Sequence, residues 1–90
     1  MKKHLIISGK VQGVGFRYWL HIEATKRKVR GYVKNTNSGK VEAILIGNDE
    51  SVKELIEKCK KGPSFSKVIK VEIQDYRQDH NSKSFDILRE

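Results

Sequence analysis

A single cysteine, Cys59, leaves no partner for an internal disulfide and too few thiols for a cysteine-rich zinc site. Proline is as scarce, with Pro63 alone, and no tract rich in Gly, Ser or Pro reads as a linker. Ninety residues without a linker are expected to form one domain spanning 1–90. Apolar runs such as Leu5-Ile6-Ile7 fall far short of the roughly 20 residues a membrane span needs. Lys2 and Lys3 are not followed by the apolar core of roughly 7–15 residues that a signal peptide carries. The expectation is a reduced, cytoplasmic chain with no membrane partner.

Acidic residues are also in short supply. Eleven Asp and Glu stand against 19 Lys and Arg, a formal charge of +8. A surplus of that size suits an anionic partner, either a nucleic acid or a phosphorylated small molecule. A solvated basic surface that keeps the chain soluble explains the charge equally well. Charge alone leaves both readings open.

The periodicity gives an order of elements. Leu5 to Ser8 reads as a short strand, followed by a loop in which Gly9, Gly13 and Gly15 supply three of the seven glycines. From Phe16 to Lys28 the pattern is helical, with Phe16, Leu20 and Ala24 at four-residue spacing and Trp19 beside them. Lys26, Arg27 and Lys28 crowd the helix end, where cations complement the dipole. Val29 to Lys34 alternates, Asn37-Ser38-Gly39 supplies turn chemistry, and Val41 to Ile46 completes a hairpin. Val52, Leu55, Ile56 and Cys59 form one apolar helical stripe. Asn48, Asp49 or Ser51 can cap that helix, and Ser51 with Glu54 fits a capping box. Gly62-Pro63 ends it, with Gly62 expected in the left-handed conformation. Ile69, Val71 and Ile73 are expected to share one strand face, and Phe85 to Leu88 a short edge strand. The order β-α-β-β-α-β predicts a two-layer α+β sandwich of the ferredoxin-like kind: an antiparallel sheet, both helices on one face, and a small extra C-terminal strand.

The stretch Val11-Gln12-Gly13-Val14-Gly15-Phe16-Arg17 joins the first strand to the first helix. A strand, a glycine loop and a helix N-terminus aim several backbone N–H groups at one point and suit an anion. The familiar nucleotide patterns do not fit. No Gly pair has Walker A spacing with Lys-Ser/Thr behind it, and Tyr18 stands where GxGxxG needs its third Gly. A glycine turn is also common as plain structure. Arg17 falls in the first helical turn, where a cation opposes the dipole by about 0.3–1 kcal/mol. It either grips a bound anion together with the loop amides, or pairs with a carboxylate such as Glu23 or points into water.

The same stretch resembles the signature loop of the acylphosphatase family. Gly31-Tyr32-Val33-Lys34-Asn35 resembles its G-[WY]-V-[RK]-N segment, and Gly39-Lys40-Val41-Glu42 its G-x-V-E. Gly62-Pro63 with Val68, and Phe85 with Ile87, match the G-P-x-x-x-x-V and F-x-I segments, so the resemblance runs nearly end to end. It implies the ferredoxin-like fold and metal-free hydrolysis of acyl phosphates, with no cofactor and no covalent intermediate. It implies that the loop amides of Val11, Gln12, Gly13, Val14, Gly15 and Phe16 hold the phosphate with Arg17, and that Asn35 orients the attacking water. By itself Asn35 reads as readily as ordinary turn chemistry at a strand end. Arg27-Lys28 replaces the Leu-Gly of many members, so Lys28 is expected to adopt a left-handed conformation costing about 1–2 kcal/mol.

The remaining conspicuous residues have plainer readings. His4, His21 and His80 are scattered and form no triad with the cysteine; His21, one turn beyond Arg17, either lines the site or packs. Cys59, Phe16 and Trp19 read as core. An RNA-binding module is the main rival, because Arg30-Gly31-Tyr32 opens like an RNP1 segment. The pattern then breaks at Val33 and Lys34, and Leu5-Ile6-Ile7 offers no stacking aromatic. The expected partner is therefore a small acyl phosphate rather than a specific nucleic acid. No oligomerisation surface is evident, and a monomer is expected.

Overall fold

A computed structural model describes residues 1–89. The elements in chain order are β1 (Lys2–Lys10), α1 (Phe16–Lys26), β2 (Arg30–Asn35), β3 (Val41–Ile46), α2 (Asp49–Lys61), β4 (Lys67–Asp75) and β5 (Phe85–Ile87). The sheet order is β4-β1-β3-β2-β5. The first four strands pair antiparallel, and β5 runs parallel to β2. This is the ferredoxin-like β-α-β-β-α-β arrangement with an added edge strand. β1 is longer than its apolar run because it pairs along both edges, with β3 and with β4.

The core lies between the sheet and the two helices. Leu5 and Ile7 of β1, Val33 of β2, and Val41, Ala43 and Leu45 of β3 meet Phe16, Leu20 and Ala24 of α1. The α2 stripe of Val52, Leu55, Ile56 and Cys59 closes the same cluster, as its spacing requires. Burial pushes the Cys59 thiol up to about 12, so it is a packed, unreactive group. The opposite sheet face carries polar pairs, among them His4 Nε2 2.7 Å from Glu42 Oε2.

Four local features differ from the sequence reading. Ser8 pairs with Lys70 while Gly9 pairs with Val68, so Ile69 is the extra residue of a β-bulge. Ile69 is consequently 75% exposed and does not share a face with Val71 and Ile73; Val68 packs on the core instead. Of the three cap candidates Asn48 is the one used, its side chain accepting from the Ser51 amide at 2.8 Å, and the Ser51–Glu54 capping box does not form. Gly62 has φ 75° but an extended ψ of 178°, outside the left-handed helical region. Glu23 does not pair with Arg17. It takes Arg27 at 2.7 Å, with Lys26 at 3.5 Å and Lys58 at 3.7 Å.

Arg27 links the two helices, because its Nε donates to Glu54 of α2 at 2.7 Å. The hydrogen bond from Arg27 holds the buried Glu23 carboxyl below the ordinary glutamate value of 4.5, and Lys26 and Lys58 reinforce it. A carboxylate with a depressed folded-state value contributes stability that is complete above the unfolded value and is lost as pH falls through the folded one. Glu23→Gln should therefore lower unfolding free energy by about 1–3 kcal/mol at pH 7. The deficit should shrink below pH 4.5, which urea unfolding at pH 7 and pH 3 would show.

α1 stops at Lys26, two residues before the expected Lys28, and Lys28 itself takes the expected left-handed conformation. Lys28 has φ 56°, the one non-glycine residue with positive φ among those described. The Lys28 and Val29 amides return to Thr25 O and Ala24 O at 3.1 and 2.9 Å, so the turn is held by backbone bonds that any residue can make. Lys28→Gly should raise stability by about 0.5–1 kcal/mol, read as a higher urea midpoint at unchanged slope.

Candidate active site

Register assembles the site. Val41 of β3 faces Ile7 of β1 on one side and Asn35 of β2 on the other. β1 and β2 therefore run parallel across β3, and both end at the same edge of the sheet. β5, parallel to β2 with Ile87 opposite Val33, ends there as well. The glycine loop leaving β1 is thus brought against the last residue of β2. In β2, Gly31 and Val33 alternate onto the helix-facing side, and the same alternation puts Asn35 there, beyond the core.

The loop 11–15 has no regular structure. Val11 and Phe16 bury their side chains in the core and Val14 packs against it, fixing the loop at both ends and its middle. Between these anchors Gly13 (φ 74°) and Gly15 (φ 78°) adopt left-handed angles, with open space where a side chain would begin. Gly15 is the N-cap of α1 and offers no side-chain cap, and the first turn holds no acidic residue. α2 is built the opposite way, with Asn48 as cap and Asp49 and Glu50 in its first turn. The positive end of α1 is therefore left uncompensated by the chain's own side chains, and Arg17 adds a further charge to it.

A cavity of about 180 Å³ opens at this point, lined by Val11, Gly13, Gly15, Phe16, Arg17, Tyr18, Asn35, Ile87 and Arg89. An adjoining hollow of about 360 Å³ is bounded by Arg17, Asn35, Leu88 and Arg89. Among the described residues no carboxylate lines either space. Arg17 makes no ion pair with any described residue, and the Asn35 carbonyl oxygen is buried with no hydrogen-bond partner there. A buried acceptor left unpaired costs about 1–3 kcal/mol, which a bound donor would recover. The arrangement can take up a compact anion and hold a hydrogen-bonding molecule beside it.

Of the sequence candidates, Val11, Gly13, Gly15, Phe16, Arg17 and Asn35 come together on this cavity, with Val11 and Phe16 able to contribute only backbone groups. Gln12 and Val14 do not line it. Gln12 turns toward the β2–β3 hairpin, where its Nε2 donates to Thr36 O at 2.9 Å and Lys40 O at 2.8 Å. His21 packs, its Nδ1 lying 2.6 Å from Phe85 O, and joins α1 to β5. Tyr18, Ile87 and Arg89 also line it and were not among the sequence candidates; nothing local marks Arg89, the charged one, because its position depends on how β5 pairs. Among the described residues no three His, Cys, Asp or Glu are grouped as metal ligands.

A ferredoxin-like sheet thus carries an arginine and an asparagine over an uncapped helix start, an arrangement that suits a compact anion. The sequence profile of the acylphosphatase family matches residues 3–87, nearly the whole chain. An acylphosphatase of Bacillus velezensis is 41% identical over 87 residues, covering 97% of each chain. The crystal structure of acylphosphatase from Bacillus subtilis superposes with a TM-score of 0.92 at 38% identity, covering 98% of each chain. That of an acylphosphatase from Coxiella burnetii gives 0.88 at 32% identity, covering 97% of this chain and 90% of its own. The chain belongs to the acylphosphatase family.

Gln12 ties the loop to the strand end that carries Asn35. Gln12→Ala should cost about 1–2 kcal/mol of stability, since two hydrogen bonds to otherwise shared carbonyls are lost. Hydrogen exchange should speed up selectively at the amides of residues 13–15 and 36–40, with the α2 amides unchanged.

Proposed function

We propose that this chain is a metal-independent acylphosphatase that hydrolyses the carboxyl–phosphate bond of small acyl phosphates. One observation carries the reading: Arg17 and Asn35, brought from separate elements, share a cavity over the uncapped, acid-free N-terminus of α1. Membership of the family and the name its relatives carry supply the reaction class.

In the proposed mechanism the phosphoryl oxygens dock on the Arg17 guanidinium and on backbone amides of the 11–16 loop, with those of the cavity-lining Val11, Gly13, Gly15 and Phe16 foremost. The fixed fork of the guanidinium and the helix dipole favour the charge that accumulates there. Asn35 uses its carbonyl as acceptor to hold a water in line with phosphorus. Water oxygen bonds to phosphorus, the bond from phosphorus to the acyl oxygen breaks, and that electron pair leaves with the carboxylate. A phosphoryl oxygen takes the water's proton, giving inorganic phosphate. An acyl phosphate is already activated, so positioning and charge stabilisation meet the demand without a strong side-chain base. No cofactor enters. We propose that residues 1–90 work as a single cytoplasmic domain and a monomer, with neither nucleic acid nor membrane as partner. No described helix is long and apolar enough to cross a membrane.

The test is hydrolysis of benzoyl phosphate with a chelator present. Wild type should turn over rapidly, and Arg17→Gln and Asn35→Ala should each lose about 10²–10³ in kcat/KM. Near-wild-type rates in Arg17→Gln would refute the assignment. Folded wild type without turnover would leave a phosphate-binding domain that lacks the reaction.

A further inference from the structure

We infer that Arg89 is a second substrate-binding cation, which closes on the same phosphoryl group that Arg17 holds. This rests on the acyl phosphate reading above and adds to it a residue outside the signature loop. Three observations place Arg89 there. It lines the 180 Å³ cavity together with Arg17, Gly13 and Gly15, and it bounds the adjoining hollow together with Arg17 and Asn35. Its position follows from register: Ile87 lies opposite Val33 in the parallel pair, and Arg89 is two residues past Ile87 as Asn35 is two past Val33. Asn35 ends β2 and Arg89 lies just beyond β5, so the parallel pairing brings both to the sheet edge where the loop begins. Finally, the approach to Arg89 is held, because the Leu88 amide donates to Val33 O at 2.9 Å and the Phe85 carbonyl meets His21 of α1 at 2.6 Å.

Chemistry decides what such a residue does. Two guanidiniums facing one space repel each other, and no described carboxylate lines the space to separate them. A phosphoryl group with two negative charges relieves both. Arg17 sits in the first turn of α1 and is partly buried, whereas Arg89 is exposed at the mouth. Solvent screens the exposed charge, so its contribution goes mainly to capturing the anion and little to the chemical step.

The experiment uses the full chain and inorganic phosphate as the probe, titrated by calorimetry at ~50 mM and ~500 mM NaCl, alongside benzoyl phosphate kinetics. Arg89→Ala should weaken phosphate binding about three- to tenfold at low salt and raise KM in proportion, with kcat within about twofold. The difference should narrow at high salt as the screening length falls, which a purely structural role would not produce. Arg89→Lys should recover part of the affinity, and Arg17→Ala should abolish binding. Wild-type phosphate affinity and KM in Arg89→Ala would overturn the inference while leaving the Arg17 site intact. A salt-insensitive loss would overturn it as well. Wild type that binds no phosphate in an Arg17-dependent way would overturn both this inference and the functional reading beneath it.

Discussion

Val41 pairs with Ile7 on one side and Asn35 on the other, and that shared neighbour brings two distant stretches of chain to one end of the sheet. A slip of one residue in the β2–β3 pairing would send Asn35 to the polar face and bury Tyr32 and Lys34 in its place. Such a slip is opposed by the core, since Val33 would leave its place beside Val41, Ala43 and Leu45 of β3 with it. Burial of these side chains therefore fixes the position of a polar residue that touches none of the helix-packing contacts itself. The same logic extends to β5, whose Phe85 is buried and whose parallel pairing with β2 aims the C-terminal residues at the cavity.

Electrostatics divides the two helices by role. α2 satisfies its own start with Asn48, Asp49 and Glu50, and its end with Lys58, Lys60 and Lys61. Nothing about it requires a ligand. α1 has the reverse arrangement at its start: a left-handed glycine for a cap, no acid, and a cation in the first turn. The fold carries this unfavourable terminus because packing on either side is strong, with Val11, Phe16 and Leu20 all buried. A helix start that is locally poor and tertiarily well anchored is what an anion site needs, because the missing partner can then be supplied from outside.

Legibility in the sequence followed the range of the interactions involved. The α2 stripe, the β2–β3 hairpin and the loop with Arg17 were readable because each rests on neighbours within a few residues. The left-handed Lys28 was readable only through the Leu-Gly that the family resemblance puts there. Helical geometry removes the alternative in which Glu23 pairs with Arg17. Six residues along a helix lie on different faces, whereas Glu23 and Arg27, four apart, share one. The bulge at Ile69 and the position of Arg89 were invisible because each is decided by pairing with a strand far away in sequence. Gln12 belongs with these, since its partners, Thr36 O and Lys40 O, lie across the hairpin. The residues that carry charge to the cavity were thus partly readable; the residues that hold them in place were not.

The chain's titrating side chains are placed consistently with chemistry that depends on position. His4 is engaged with Glu42 on the polar sheet face, His21 with the Phe85 carbonyl, and the His80 ring lies tilted against Tyr32 at 5.7 Å between ring centroids. Cys59 is sealed beneath α2 with a thiol too weakly acidic to act as a nucleophile. Among the described residues, the two spaces at the sheet edge are left with backbone amides, guanidiniums and one neutral amide as their polar groups, beside the Tyr18 side chain at the rim. Guanidinium and amide keep their protonation state across the physiological range, so their effect depends on where they are held. That makes the supporting contacts the sensitive part of the design. Gln12 joins loop to hairpin, His21 joins α1 to β5, and the Leu88 amide joins the C-terminal segment to β2. Each of these ties crosses between two of the elements that meet at the cavity, and together they close a ring around it. An anion held by groups fixed in that ring meets donors already oriented, so little ordering remains to be done when it binds.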